Sequence, residues 1–116
     1  MARYLISFDD GAMDFIREAE MPAVGEAAHA VIREAQDAGV WVFAGGVYPH
    51  DEVSVSVVAP DGTVTAGAES KAYIAGVTIV DVPSREEALR WAAKIAVACR
   101  CAQEVREFMP DPAVGN

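Results

Sequence analysis

The run "YIAGVTIVDVPSREEALRWAAKIAVACR", residues 73–100, constrains the fold more than any other part of the chain. Its first ten residues are β-branched and apolar, with no helical period, and read as a strand buried deeply enough to be central. Pro83 and Ser84 then end that pattern. Ser84 stands three residues before Glu87, the spacing of a capping box, in which a hydroxyl and a carboxylate satisfy free N–H groups at a helix start. Ala88, Trp91, Ala92, Ile95, Ala96 and Cys99 follow at helical spacing and form an apolar stripe. A central strand feeding an amphipathic helix needs other strands beside it.

The rest of the chain supplies them. "ARYLISF" alternates, with Tyr4, Ile6 and Phe8 on one side and Leu5 and Ser7 on the other, a first strand. "DDGAMDFIREAEM" begins with turn residues and holds at most a short helical turn. Pro22 suits the first turn of a helix that runs to about Ala38 and stops at Gly39, where a left-handed residue is expected. Gly25, inside its first turns, weakens that helix by up to ~1 kcal/mol relative to alanine. "VWVFAGGV" is a second strand and "YPHDE" a loop. "VSVSVVA" and a short "VTAG" arm are joined through the Asp-Gly turn of "PDGT". "AQEVREFM" is a closing strand, so residues 1–109 read as one domain and 110–116 as a flexible tail.

Strand, helix, strand, hairpin, strand, helix, strand is the connectivity of an α+β fold. A ferredoxin-like antiparallel sheet carries two helices on one face. The strands also offer apolar residues to the other face, among them Trp41, Phe43, Val55, Val57, Tyr73 and Val77. Left bare, that face would be a large apolar patch, so the chain is expected to form a symmetric homodimer, sheet against sheet.

Composition narrows the partners. The 116 residues carry a formal charge of −9, which disfavours nucleic acid. No apolar run reaches the roughly 18–20 residues of a membrane helix, and "MARYLISFDDG" is too short and too soon acidic for a secretory signal. Cys99 and Cys101, one residue apart, cannot staple distant segments, and the chain is expected in the cytoplasm. Their bland role is as small core residues.

Few side chains offer chemistry. His29 lies about 130° from the centre of the first helix's stripe, on its flank or solvent side, with Glu26 one turn back. It reads either as a solvated histidine interacting weakly with Glu26 or as a proton-transfer group. Asp9 and Asp10 follow the first strand, where turn chemistry is the default and a loop carboxylate could also orient an imidazole. His50 and Asp51, adjacent in a proline-containing loop, favour a turn over a dyad. Trp41 and Phe43 could line an apolar ligand pocket or serve as core or interface aromatics. No spacing supports a metal site, no cofactor motif is present, and "FAGGV" lacks the spacing and the following helix of a phosphate loop.

"AAHAVIREAQDAGVWVFAGGV" resembles the early motif of the YCII-related family, in particular its DGPF subfamily: a histidine-bearing helix ending in Ala-Gly and a strand ending in Gly-Gly. "VTAGAESKAYIAGVTIVDVPSREEALRWAAK" resembles that subfamily's middle segment, and "EVREFM" its closing strand. The likeness runs from Tyr4 to Met109. It implies a dimeric α+β barrel with a small pocket between the sheets or under helix one. It also implies small-molecule chemistry in some members, with a histidine–aspartate pair as acid and base. The signature turn is degenerate: Gly67, Glu69 and Lys71 are kept, Ala66 replaces the aspartate, and the Pro-Phe pair is missing. The carboxylate expected late in the second helix has no counterpart in "AAKIAVACR". The resulting expectation is a domain that binds a small organic ligand, with Trp41, Phe43 and Asp10 as ligand contacts. The alternative is a lyase- or hydrolase-like enzyme using His29 as general acid/base.

Overall fold

In the computed structural model of the chain, residues 1–67 and 73–115 are described. Glu69 and Lys71, carried by the family likeness, lie outside them. Among the described residues eight helices and strands follow in order. They are β1 (Ala2–Asp9), α1 (Met21–Asp37), β2 (Trp41–Gly46), β3 (Ser56–Val58), β4 (Val64–Ala66), β5 (Ile74–Val82), α2 (Arg85–Cys99) and β6 (Glu104–Glu107). Short 3₁₀ turns occupy Glu18–Glu20 and Pro112–Val114. The second of these gives the expected tail a local structure, with the Asp111 carboxylate accepting from the Ala113 N–H.

Four strands form one antiparallel sheet in the order β2-β5-β1-β6, the ferredoxin-like arrangement expected from the connectivity. The hydrophobic β5 lies inside the sheet, between β2 and β1. Because both neighbours run antiparallel to β5, β1 and β2 run parallel to each other. Their C-terminal ends therefore emerge at the same end of the sheet, above the start of β5.

The helix ends follow from their sequences. At the close of α1, Gly39 adopts φ +74° and donates to the Gln36 carbonyl, while the Val40 N–H reaches the Ala35 carbonyl. That pair of bonds is a Schellman motif, and it turns the chain directly into β2. At the start of α2 the Ser84 hydroxyl accepts from the Glu87 N–H at 3.2 Å. A cap of this kind contributes about 1 kcal/mol. Arg100 ends α2 in the left-handed region at φ 57°, with its guanidinium held by Glu20 at 2.9 Å.

The core lies between the helices and one sheet face. Tyr4 and Ile6 of β1 and Val80 and Val82 of β5 meet Trp91, Ala92 and Ile95 of α2 and Ala35 of α1. The stripe of α2 is nearly the expected one, except that Ala98 is buried where Ala96 is half-buried. Among the described residues no helix is long and apolar enough to cross a membrane.

Two placements correct the sequence reading of the second face. The β3–β4 hairpin forms its own two-stranded sheet, so Val57 is not part of the main sheet's open side. Trp41 and Phe43 are two apart in sequence, yet a register shift between them breaks the alternation. Trp41 pairs with core residue Val80, and Phe43 pairs with Ile79, the next residue of β5. Directly opposed residues share a face, so Trp41 turns to the helices and Phe43 away from them.

Candidate functional site

A cleft of about 340 Å³ opens between α1 and the β2–β5 half of the sheet. Gly25, Ala28, His29 and Ile32 recur at helical spacing and give α1 its cleft-facing side. Ala44 and Gly46 of β2 and Gly76 and Thr78 of β5 form the opposite wall, and Ile95 and Cys99 of α2 also line it. Phe8 closes one side, and its ring lies against Gly76. A Cβ at residue 76 would fall 2.6 Å from that ring, so any larger residue there must displace it.

The lining is almost wholly apolar, with His29 and Thr78 as its main polar groups. His29 is exposed at the rim and makes no hydrogen bond or ion pair among the described residues. The weak contact with Glu26 is thus not formed. Cys99 is buried, and burial raises its thiol pKa, so it stays protonated and inert at neutral pH. Burial likewise raises Cys101, partly offset by the Gln103 amide.

A second, polar constellation sits at the same end of the sheet. The chain leaves β1 at Asp9, and the Asp10 N–H donates to the Tyr73 carbonyl at 2.7 Å, tying the loop to the segment entering β5. From the end of β2 the chain passes through Val47–Pro49 to His50, which reaches across the start of β5. The His50 backbone N–H donates to Asp10 Oδ2 at 2.9 Å, and its Nδ1 lies 2.6 Å from the same oxygen. An ionised carboxylate only accepts, so Nδ1 carries the proton and Nε2 is left free. The imidazole also stacks on the Tyr73 ring, centroids 4.1 Å apart and planes 15° from parallel. The Tyr73 hydroxyl in turn donates to the Gly67 carbonyl at 2.7 Å.

These contacts fix the ring on two sides. Asp10 is 14% exposed at its side chain, whereas His50 remains 47% exposed. The backbone N–H of His50, and then its imidazole, hold the Asp10 carboxyl below the usual carboxylate range. Beside the ring is a small pocket of about 180 Å³ lined by His50, Ser54, Val55, Gly67 and Tyr73. This is an oriented imidazole with a carboxylate behind Nδ1, on a residue that lines a cavity. Such a group can take a proton, and the carboxylate stabilises the imidazolium that forms.

The candidates from sequence therefore separate. His29 faces the apolar cleft without a carboxylate. Asp10 does orient an imidazole, that of His50. His50 pairs with a residue 40 positions away and not with neighbouring Asp51. Trp41 packs against the core cluster, and its Nε1 is buried without a hydrogen-bond partner among the described residues. Phe43 is 53% exposed on the open face. Neither aromatic lines the cleft. Among the described residues no group of three or more His, Cys, Asp or Glu side chains is placed to hold a metal ion.

The missed pair carried a readable signal. Asp10 and His50 each follow a strand, and in this connectivity those two strands are parallel and end together. No family model matches the chain, and no curated protein matches it.

Proposed function

We propose that this chain binds a small neutral organic molecule and transfers protons on it, with Asp10 and His50 as the acid–base pair. The observation that carries the reading is the 2.6 Å contact between Asp10 Oδ2 and His50 Nδ1, which occupies one ring nitrogen of a histidine that lines a pocket. The ligand is taken to span the apolar cleft and the pocket beside His50, two cavities with no lining residue in common, with His29 at the cleft rim hydrogen-bonding to it and taking no part in catalysis. The likeness to YCII-related and DGPF proteins supports small-molecule chemistry, and on this reading the histidine–aspartate function has moved to the two loops.

The same reading makes the protein a cytoplasmic homodimer. The molecule is a plate of 45 × 42 × 18 Å with both helices on one side. Leu5, Ile79 and Phe43 form a cross-strand apolar row on the other. A second copy, sheet to sheet, would cover that row and close a barrel. Sedimentation at micromolar concentration should give twice the chain mass, and a monomer would remove this part.

Binding without catalysis is the second reading, favoured by the lack of any carboxylate on His29. Phenylacetone in D₂O separates the two, because its acidic α-protons exchange when a base removes them. Wild-type protein should accelerate that exchange and His50→Gln should lose the acceleration. Ligand-induced shifts of the cleft amides with no accelerated exchange would leave only the binding reading.

A further inference from the structure

Of the nine glycines, four have positive φ, and three would bring a Cβ within 3.3 Å of a neighbouring atom. Six of those seven are explained by backbone conformation or packing; Gly45 meets only the end of the exposed Phe43 ring, which can move aside. Gly25 and Gly46 are the two whose Cβ would meet nothing closer than an ordinary contact. A Cβ on Gly25 would meet nothing within 4 Å, and one on Gly46 would meet only the Ala75 carbonyl at an ordinary 3.6 Å. Glycine inside a helix weakens it, so Gly25 is not neutral for folding, while Gly46 is the last residue of β2.

Both line the same cleft, on opposite walls. Gly25 stands one turn before His29 on α1. Gly46 pairs directly with Gly76, so it shares the face of the sheet that carries Phe8. Each wall thus presents bare backbone where alanine would fit without strain. We infer that Gly25 and Gly46 set the ligand specificity: the cleft is a slot for a flat, neutral, largely apolar ring with one hydrogen-bonding group directed at His29. The volume suits a single substituted ring, and the charge of −9 disfavours an anion.

This inference rests on the cleft being the ligand site and adds the class of ligand. Phenol and cyclohexanol provide the test, since they share size and hydroxyl and differ in flatness. Amide shifts of the full-length protein should show phenol binding around Ala28, His29 and Ile32, at least ten-fold tighter than cyclohexanol. Gly25→Ala should raise Tm by roughly 2–5 °C through helix propensity while weakening phenol about three- to ten-fold. Gly46→Ala should weaken it similarly, and Gly25→Leu should abolish binding. A glycine kept for folding alone would not lose ligand while gaining stability.

Equal binding of the two alcohols, with Gly25→Leu blocking both, would overturn the flat-ring class and leave the ligand site standing. Unchanged phenol affinity in both alanine variants would overturn the role of the glycines. Wild-type protein whose cleft amides ignore both alcohols would overturn the ligand site and this inference together.

Discussion

The two histidines stand at the same end of the molecule in opposite chemical settings. His29 stands exposed on a helix at the rim of an apolar cleft and makes no hydrogen bond or ion pair among the described residues. His50 sits on a loop in polar surroundings, held by a carboxylate, a stacked ring and its own backbone N–H. Helical placement gives an accurate position but here no partner to set the protonation state. Loop placement gives the partner, because loops from different strands can converge. On the proposed function the contrast divides the work: one histidine to recognise, the other to move protons.

The largest expected effects test that division. His50→Gln should slow α-proton exchange in phenylacetone by roughly 10²–10⁴-fold, the usual scale for a positioned general base. Asp10→Asn should slow it by at least ten-fold, since an amide can present its NH₂ to Nδ1 and favour the wrong tautomer. His29→Gln should weaken ligand binding and leave the rate at saturation within about three-fold. Equal losses of saturated rate at His29 and His50 would break the comparison.

Gly76→Ala comes next and acts on the cleft alone. Its Cβ must displace the Phe8 ring, and overpacking of this kind costs about 1–3 kcal/mol, read as a lower urea midpoint. Amide shifts should spread through Phe8, Ala28 and His29 and spare Ser54 and Asp51. A perturbation equally large around His50 would mean that the two settings are mechanically one.

Much of this was open to reading from sequence, and the failures have specific causes. The Ser84 cap, the glycine stop at residue 39 and the central position of β5 are local signals of period and punctuation, and each appears in the fold, although the Glu87 carboxylate pairs with Arg90 in place of the reciprocal capping-box bond. Trp41 was misplaced because the register shift before Phe43 carries no glycine or proline to announce it. The Asp10–His50 pair spans 40 residues, and reading it requires the topology first. Once β1 and β2 are parallel flanks of β5, their following loops must approach one another roughly 10 Å apart, two strand spacings. A histidine with a carboxylate across that gap is within reach. Along the chain His50 has only Asp51 beside it, and Asp10 offers a carboxylate with no imidazole named for it, so the pairing is invisible without the topology.

A smaller effect is expected at Tyr73, where the ring and the hydroxyl do different things. Tyr73→Phe keeps the stack on His50 and removes the bond to the Gly67 carbonyl, costing about 1 kcal/mol. Exchange should persist within a few-fold. Tyr73→Leu removes the stack as well and should reduce the rate further, by freeing the imidazole to leave Asp10. If phenylalanine were as damaging as leucine, the hydroxyl and not the stacked ring would be holding the site.

The finest test lies in acid stability. Asp10 has a folded pKa below its ordinary value of 3.8, first because of the His50 backbone N–H and then because of the imidazole. A lowered carboxyl pKa stabilises the fold fully above the unfolded value, and that stabilisation is lost as pH falls through the lower folded value. Wild-type stability should therefore decline from about pH 4 downward with a contribution that Asp10→Asn removes. His50→Gln keeps the backbone donor, so it should retain most of that decline even though its proton transfer is gone. This separates the two roles of residue 50: its main chain fixes the carboxylate, and its side chain uses it. A decline abolished equally by both variants would show that the imidazole, and not the loop backbone, sets the charge on Asp10.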